Sequence, residues 1–201
     1  MSGRRRLGIF GGSFDPVHRG HVALAHAARD QLDLDELRWI PVGIAWQKSQ
    51  HFEDGPDREA MVRLAIAAEP RFVLDRTELK RRGPSFTLDT VREKLAELPD
   101  ADWTLVLGAD QYAGLHTWRD WRELVSLVTL AIAARPGLSA APDPQVAQLA
   151  RTVAIALPEM DISSSDVRRR IAAGAPTDDL VPVAVARYIE QRGLYRADIR
   201  S

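Results

Sequence analysis

Two histidines three residues apart, His18 and His21, follow a double-glycine turn in the run Gly11-Gly12-Ser13-Phe14-Asp15-Pro16-Val17-His18-Arg19-Gly20-His21. The apolar stretch Leu7-Gly8-Ile9-Phe10 precedes this run and the helical pattern Val22–Leu32 follows it. A strand that breaks at two glycines and restarts as a helix aims backbone N–H groups and the positive end of a helix dipole at one point. The three-residue spacing stacks both imidazoles on one helical face, toward that point. Such an arrangement suits the holding of phosphates. A second strand-to-helix turn, Ile162-Ser163-Ser164-Ser165-Asp166-Val167-Arg168, offers hydroxyls and a guanidinium at another helix start. Serine and aspartate cap helices routinely, but two such turns about 150 positions apart are far more specific together than either alone.

The two runs resemble the signatures of the nucleotidylyltransferase superfamily, His-x-Gly-His after the first strand and Ile-Ser-Ser-Thr-x-x-Arg near the end. The GGSFDPVH form is similar to the nicotinate mononucleotide adenylyltransferases of bacterial NAD synthesis. Ser165 replaces the usual threonine and Val167 the usual isoleucine, keeping hydroxyl and shape. The resemblance continues through Gly108-Ala109-Asp110, Leu115-His116-Thr117-Trp118-Arg119 and Pro84-Ser85-Phe86-Thr87-Leu88-Asp89-Thr90 to the terminal Gly193-Leu194-Tyr195.

The resemblance implies AMP transfer from ATP to nicotinate mononucleotide. Gly11, Gly12, Ser13 and Phe14, with His18 and His21, would meet ATP, and Ile162, Ser163, Ser164, Ser165 and Arg168 would embrace its triphosphate. Gly108 and Asp110 would lie beside the adenosine, and a carboxylate at a strand's carboxyl edge is placed to accept from a ribose. Ser13, Phe14, Lys48, Thr87, Trp118 and Arg119 would meet the mononucleotide, Trp118 stacking on its pyridine ring. Thr87 opens a helix, which favours a substrate carboxylate on physical grounds as well. The attacking phosphate is largely ionised at neutral pH, its second pKa being about 6, so no general base is needed. His18, His21, Lys48 and Arg168 would therefore carry catalysis by neutralising charge. Magnesium is expected to arrive with ATP, without a metal site of the protein's own.

The chain departs from the family at Pro41–Lys48, where Gln47 stands in the histidine position of Pro-Pro-His-Lys and Trp46 in a proline position. Glutamine still donates hydrogen bonds but carries no charge. Lys48 is retained. The span Gly43–Gly55 is long and without periodicity, which predicts a mobile loop carrying Gln47 and Lys48 over ATP. Asp15 is expected to be structural, orienting its loop. Glu78, Lys80, Arg169 and Arg170 read as solvated charges.

Positioning these residues requires a particular scaffold. Candidate strands are Leu7–Phe10, Leu37–Val42, Phe72–Asp75, Trp103–Leu107, Leu130–Ala134 and Val153–Leu157, separated by amphipathic stretches Val22–Leu32, Arg58–Ala68, Leu88–Leu98 and Trp121–Leu127. Near-continuous apolar strands alternating with helices predict an α/β fold, a Rossmann-like doubly wound parallel sheet, with C-terminal helices at Ser165–Ala173 and Val183–Gln191 and a frayed tail, Ala197–Ser201. The 201 residues suit one domain spanning 1–201, with Arg135–Pro144 as a surface loop. The absence of cysteine removes thiolate chemistry and disulfides, the net charge of −1 gives no general pull toward nucleic acid or membrane, and the short apolar run near the N-terminus is no membrane span. A cytoplasmic protein is the expectation; the oligomeric state is not legible.

Other readings differ in testable ways. A sister adenylyltransferase acting on nicotinamide mononucleotide would meet no substrate carboxylate, and one acting on phosphopantetheine would lack the Leu-x-x-Trp element. A non-catalytic nucleotide-binding regulator would have lost a motif histidine, and both are present. A nucleic-acid binder built on Arg4–Arg6, Lys80–Arg82 and Arg168–Arg170 would show strongly salt-dependent affinity.

Overall fold

The computed structural model describes residues 3–45, 53–134, 141–158 and 160–196. Its strands are β1 (Arg6–Gly12), β2 (Glu36–Pro41), β3 (Ile44–Ala45), β4 (Phe72–Leu74), β5 (Pro84–Ser85), β6 (Asp102–Leu107), β7 (Thr129–Ala134) and β8 (Thr152–Ala156). Its helices are α1 (Arg19–Gln31), α2 (Gly55–Ile66), α3 (Thr77–Lys80), α4 (Thr87–Glu97), α5 (Ala109–Ala113), α6 (Trp121–Leu127), α7 (Pro144–Leu149), α8 (Ser164–Ala172) and α9 (Val183–Arg192), with a 3-10 turn at Leu115–Thr117.

The six long strands form one parallel sheet in the order β4-β2-β1-β6-β7-β8. Alternate strand residues feed two separate cores. Leu7 and Ile9 of β1, Trp103, Leu105 and Leu107 of β6, and Leu130 pack with α4, α6 and α7 on one face. Phe10, Leu37, Trp39, Val106, Ala131 and Ile155 pack with α1, α2, α8 and α9 on the other. A strand buried on both faces can afford polar residues at neither parity, which is why these strands read as apolar runs.

Connections from β1 run outward through β2 to β4, and those from β6 run through β7 to β8. The winding reverses between β1 and β6, leaving a crevice beyond their carboxyl ends where a doubly wound sheet holds ligands. Gly12 ends β1 and Gly108 follows β6, so both glycine turns open on that crevice.

The structure corrects several expectations. Helix α1 begins at Arg19, three residues before the apolar periodicity. The span Gly43–Gly55 is not loop throughout, because β3 pairs with β5 and α2 starts at Gly55. Pro144 opens α7, while residues 135–140 and the tail 197–201 lie outside the described residues. Elements α3, α5 and α7 were absent from the sequence reading because none exceeds six residues, too short for periodicity to register.

One buried cation ties sheet to helix. Lys94 of α4, its side chain 2% exposed, donates to Asp75 at 2.7 Å, Glu97 at 2.6 Å and Thr77 at 2.9 Å. Burial pushes the Asp75 carboxyl up, but hydrogen bonds from Lys94 and Thr77 outweigh it and hold the group below its ordinary value. Lys94→Met should cost about 3 kcal/mol by denaturant unfolding at pH 7, since it strands a buried carboxylate. Asp75 binds its proton more weakly when folded, so the wild type should lose this contribution as pH falls through the acid range and the difference between the two proteins should shrink. Equal stability at pH 7 would refute this account.

Candidate active site

The histidine motif forms the start of α1 in an unforeseen way. His18 is the N-cap and His21 the third helical residue, and each imidazole caps the other's backbone: the His18 N–H donates to His21 Nδ1 at 3.2 Å, and the His21 N–H donates to His18 Nδ1 at 3.4 Å. This is a capping box made with two rings in place of serine and glutamate. An Nδ1 that accepts leaves Nε2 as the ring nitrogen able to donate. The rings stack with centroids 3.7 Å apart. A Cβ on Gly20 would come within 3.1 Å of the His18 ring, which accounts for the glycine between them.

Helix α8 docks against this loop. Ser164 Oγ donates to the Pro16 carbonyl at 3.0 Å, and Arg168 Nη1 donates to the Asp15 carbonyl at 2.6 Å, pairs separated by 148 and 153 positions. The two sequence motifs are thus one site. Ser163 caps α8, accepting from the Asp166 N–H at 3.1 Å, and Ser165 Oγ accepts from Arg168 Nη2 at 3.3 Å. Asp15 is buried, its carboxylate accepting from the Tyr195 OH. Arg169 and Arg170 lie exposed, paired with Asp166 and Asp179.

Two cavities adjoin at β1. The larger, about 360 Å³, is lined by Gly11, Gly12, Ser13, His18, His21, Gly108, Asp110, Ile162, Ser163, Ser164, Ser165 and Arg168. The smaller, about 140 Å³, is lined by Ile9, Ile40, Val42, Leu105, Leu107, Thr87, Trp118 and Arg119, among others. Gly11, Gly12, Ser13 and Gln111 line both. Phe14 lines neither; its ring is fully buried against Phe10 and Trp39, and its φ of 48° is the left-handed conformation that turns the loop. Its part is to shape Gly12–Asp15. Lys48, Gln47 and Trp46 lie outside the described residues.

Helix α4 points its N-terminus at the smaller cavity. Phe86 is its N-cap, no side chain among the described residues caps the helix, and its first turn with Thr87 lines the cavity. Trp118 is half-buried at the wall, whereas Trp103 and Trp121 are core residues, which separates the three tryptophans. The Arg119 guanidinium covers the Phe86 ring at 4.5 Å.

Three lining residues escaped the sequence reading. Gln111 bridges the cavities. Glu78 is buried rather than solvated; burial pushes its carboxyl up, and Thr90 Oγ1 donates to it at 2.7 Å while itself accepting from Arg81 at 3.1 Å. Ser85 Oγ is buried without a partner among the described residues. The placement of Glu78 and Ser85 depends on Gly43, where a Cβ would fall 2.2 Å from the Glu78 carbonyl oxygen, so no local signal could have found those two.

Residues 9–170 match the cytidylyltransferase-like family model. A protein of Methylibium petroleiphilum named "Probable nicotinate-nucleotide adenylyltransferase" is 48% identical over 96% of this chain and 94% of its own length. One of Bordetella petrii with the same name is 45% identical over 96% and 100%. The chain belongs to the nicotinate-nucleotide adenylyltransferase family. In fold, the family member is similar to the Plasmodium falciparum nicotinic acid mononucleotide adenylyltransferase complexed with NaAD, with a TM-score of 0.77 at 20% identity, covering 96% of this chain and 98% of that one. The six-stranded parallel sheet with helices on both faces is the Rossmann-like architecture that the alternating sequence pattern predicts for this adenylyltransferase-family chain. No helix of its described residues is long and apolar enough to cross a membrane.

Proposed function

We propose that the protein is a cytoplasmic enzyme, one nucleotidylyltransferase domain over residues 1–201, that transfers AMP from ATP to nicotinate mononucleotide, giving nicotinate adenine dinucleotide and pyrophosphate in NAD biosynthesis. The observation that carries this reading is the pair of cavities joined at Gly11, Gly12 and Ser13. A pyridine mononucleotide in the smaller would present its phosphate at the glycine turn, where the α-phosphate of ATP in the larger can lie in line with it.

The chain's work is then positioning and charge neutralisation. Nε2–H of His18 and of His21 donate to the α- and β-phosphates, where negative charge builds as the phosphorus–oxygen bond to pyrophosphate breaks. Arg168, Ser163, Ser164, Ser165 and the N-terminus of α8 grip the outer phosphates, with Ile162 packing beneath them and Lys48 joining at the β/γ end. Asp110 accepts from the ATP ribose beside Gly108. Thr87, Trp118 and Arg119 frame the pyridine ring. Hydrogen-bond donation by the imidazoles fits this role better than proton abstraction, because the attacking phosphate is already ionised. Mg2+ is proposed to enter as part of the nucleotide substrate, bridging phosphates and water.

Incubating the purified chain with ATP, Mg2+ and nicotinate mononucleotide should release pyrophosphate and an equal amount of dinucleotide, both measured by coupled assay and mass. Binding of ATP without pyrophosphate release would favour the regulator reading instead.

A further inference from the structure

The segment that follows α9 contacts the histidine-motif loop through Tyr195. Gly193 closes the helix in the left-handed conformation at φ 65°, and Tyr195 adopts that conformation too, at φ 61°. A residue with a Cβ holds such a backbone only when its surroundings fix it. The Tyr195 backbone N–H is held by the Glu53 carboxylate, and its phenol OH donates to Asp15 Oδ1 at 2.6 Å. Asp15 is 1% exposed, and its Oδ1 also accepts from the Glu53 N–H at 3.4 Å. The Asp15 carbonyl holds Arg168 Nη1 at 2.6 Å, while Asp15 Oδ2 stands back from the same nitrogen at 3.9 Å. One residue therefore separates the C-terminal phenol from the guanidinium at the phosphate cavity.

We propose that Tyr195 is a positioning residue for Arg168, holding the Asp15 carboxylate away from the guanidinium so that Arg168 remains on the Asp15 carbonyl and faces the phosphates. A buried carboxylate that loses a short donor must find another. The 3.9 Å gap makes Arg168 an available replacement, and closing it would draw the guanidinium out of the cavity. This inference rests on the reading that Arg168 grips the polyphosphate of ATP.

The same helix supplies a matched control. Tyr188 OH donates to the buried carboxylate of Asp57 at 2.6 Å, tying α9 to α2, and neither residue lines a cavity. In the full chain, Tyr195→Phe should lower kcat/KM for ATP by roughly ten- to a hundred-fold, the scale of a displaced contact in a positioned site. Tyr188→Phe should lower the melting temperature comparably and leave the kinetics at the wild-type level. In an Arg168→Ala background Tyr195→Phe should add little, because both act through one contact. Should Tyr195→Phe fail to fold, the double change Asp15→Asn, Tyr195→Phe, which leaves no stranded charge, should match Asp15→Asn alone. Kinetics of Tyr195→Phe indistinguishable from Tyr188→Phe, full additivity with Arg168→Ala, or a further tenfold loss on the Asp15→Asn background would each overturn the proposal. An inactive wild type would overturn the functional reading and this inference with it, whereas an active wild type with a silent Tyr195→Phe removes this inference alone.

Discussion

His21→Ala should lower turnover by about 100- to 1000-fold, the range for losing one preorganised donor at developing charge. The structure gives His21 two functions that one substitution removes together. Its Nδ1 accepts from the His18 N–H as half of the capping box, and its ring lines the larger cavity together with that of His18. The cap alone accounts for about 1 kcal/mol of stability, too little to explain such a loss in a chain that still folds. His21→Gln separates the two. A glutamine at the third helical position can accept from the N-cap backbone, so its melting temperature should return toward the wild type while turnover stays well below it. Turnover in His21→Ala near the wild-type value, in a folded preparation free of contaminating enzyme, would reduce His21 to a cap.

The six main strands were legible because both faces of the sheet are covered, so Leu7–Phe10 and Trp103–Leu107 could hold almost nothing polar. The proposed phosphate site was legible for a related reason: strand, glycine turn and helix start lie in one short stretch, and the proposed chemistry follows from the stretch itself. The reciprocal histidine cap was not. Imidazole is absent from the usual capping residues, so the spacing of His18 and His21 suggested a shared helical face when the geometry is a helix beginning on one ring and receiving the other. The far side of the smaller cavity was legible only in part. Thr87 and Trp118 sit in recognisable stretches, but Ser85 and Glu78 reach the wall through the β3–β5 pairing and the close approach at Gly43, contacts between segments some forty positions apart that leave no periodic trace. Tyr195 belongs to the same class, its partner being 180 positions away.

Nicotinate mononucleotide should be preferred over nicotinamide mononucleotide by at least about 30-fold in kcat/KM, and Thr87→Val should shrink that ratio. The argument begins with the uncapped start of α4. First-turn N–H groups with no side-chain cap among the described residues, beside a cavity also walled by Ile9, Ile40, Val42, Leu105 and Leu107, are donors suited to an anion. The Thr87 hydroxyl adds a donor, and Arg119, held over Phe86, adds positive potential at the rim. A pyridine carboxylate satisfies this group, whereas a carboxamide leaves a donor unpaired and turns its own NH2 toward others. Losing a charge-assisted bond and stranding a buried donor costs on the order of 2–4 kcal/mol, or roughly 30- to 1000-fold. Glu78 acts in the opposite direction, as a second carboxyl on the same wall. Burial raises its proton affinity, and Thr90 with Arg81 behind it engages the carboxyl from the protein side, which limits the repulsion a substrate carboxylate meets. Thr87→Val keeps shape and helix start while removing the hydroxyl, so the loss should fall on nicotinate mononucleotide and leave the KM for ATP in place. A ratio near unity in the unmodified chain would sink the nicotinate assignment alone, because His18, His21 and Ser163–Arg168 line the other cavity and do not distinguish one pyridine from another.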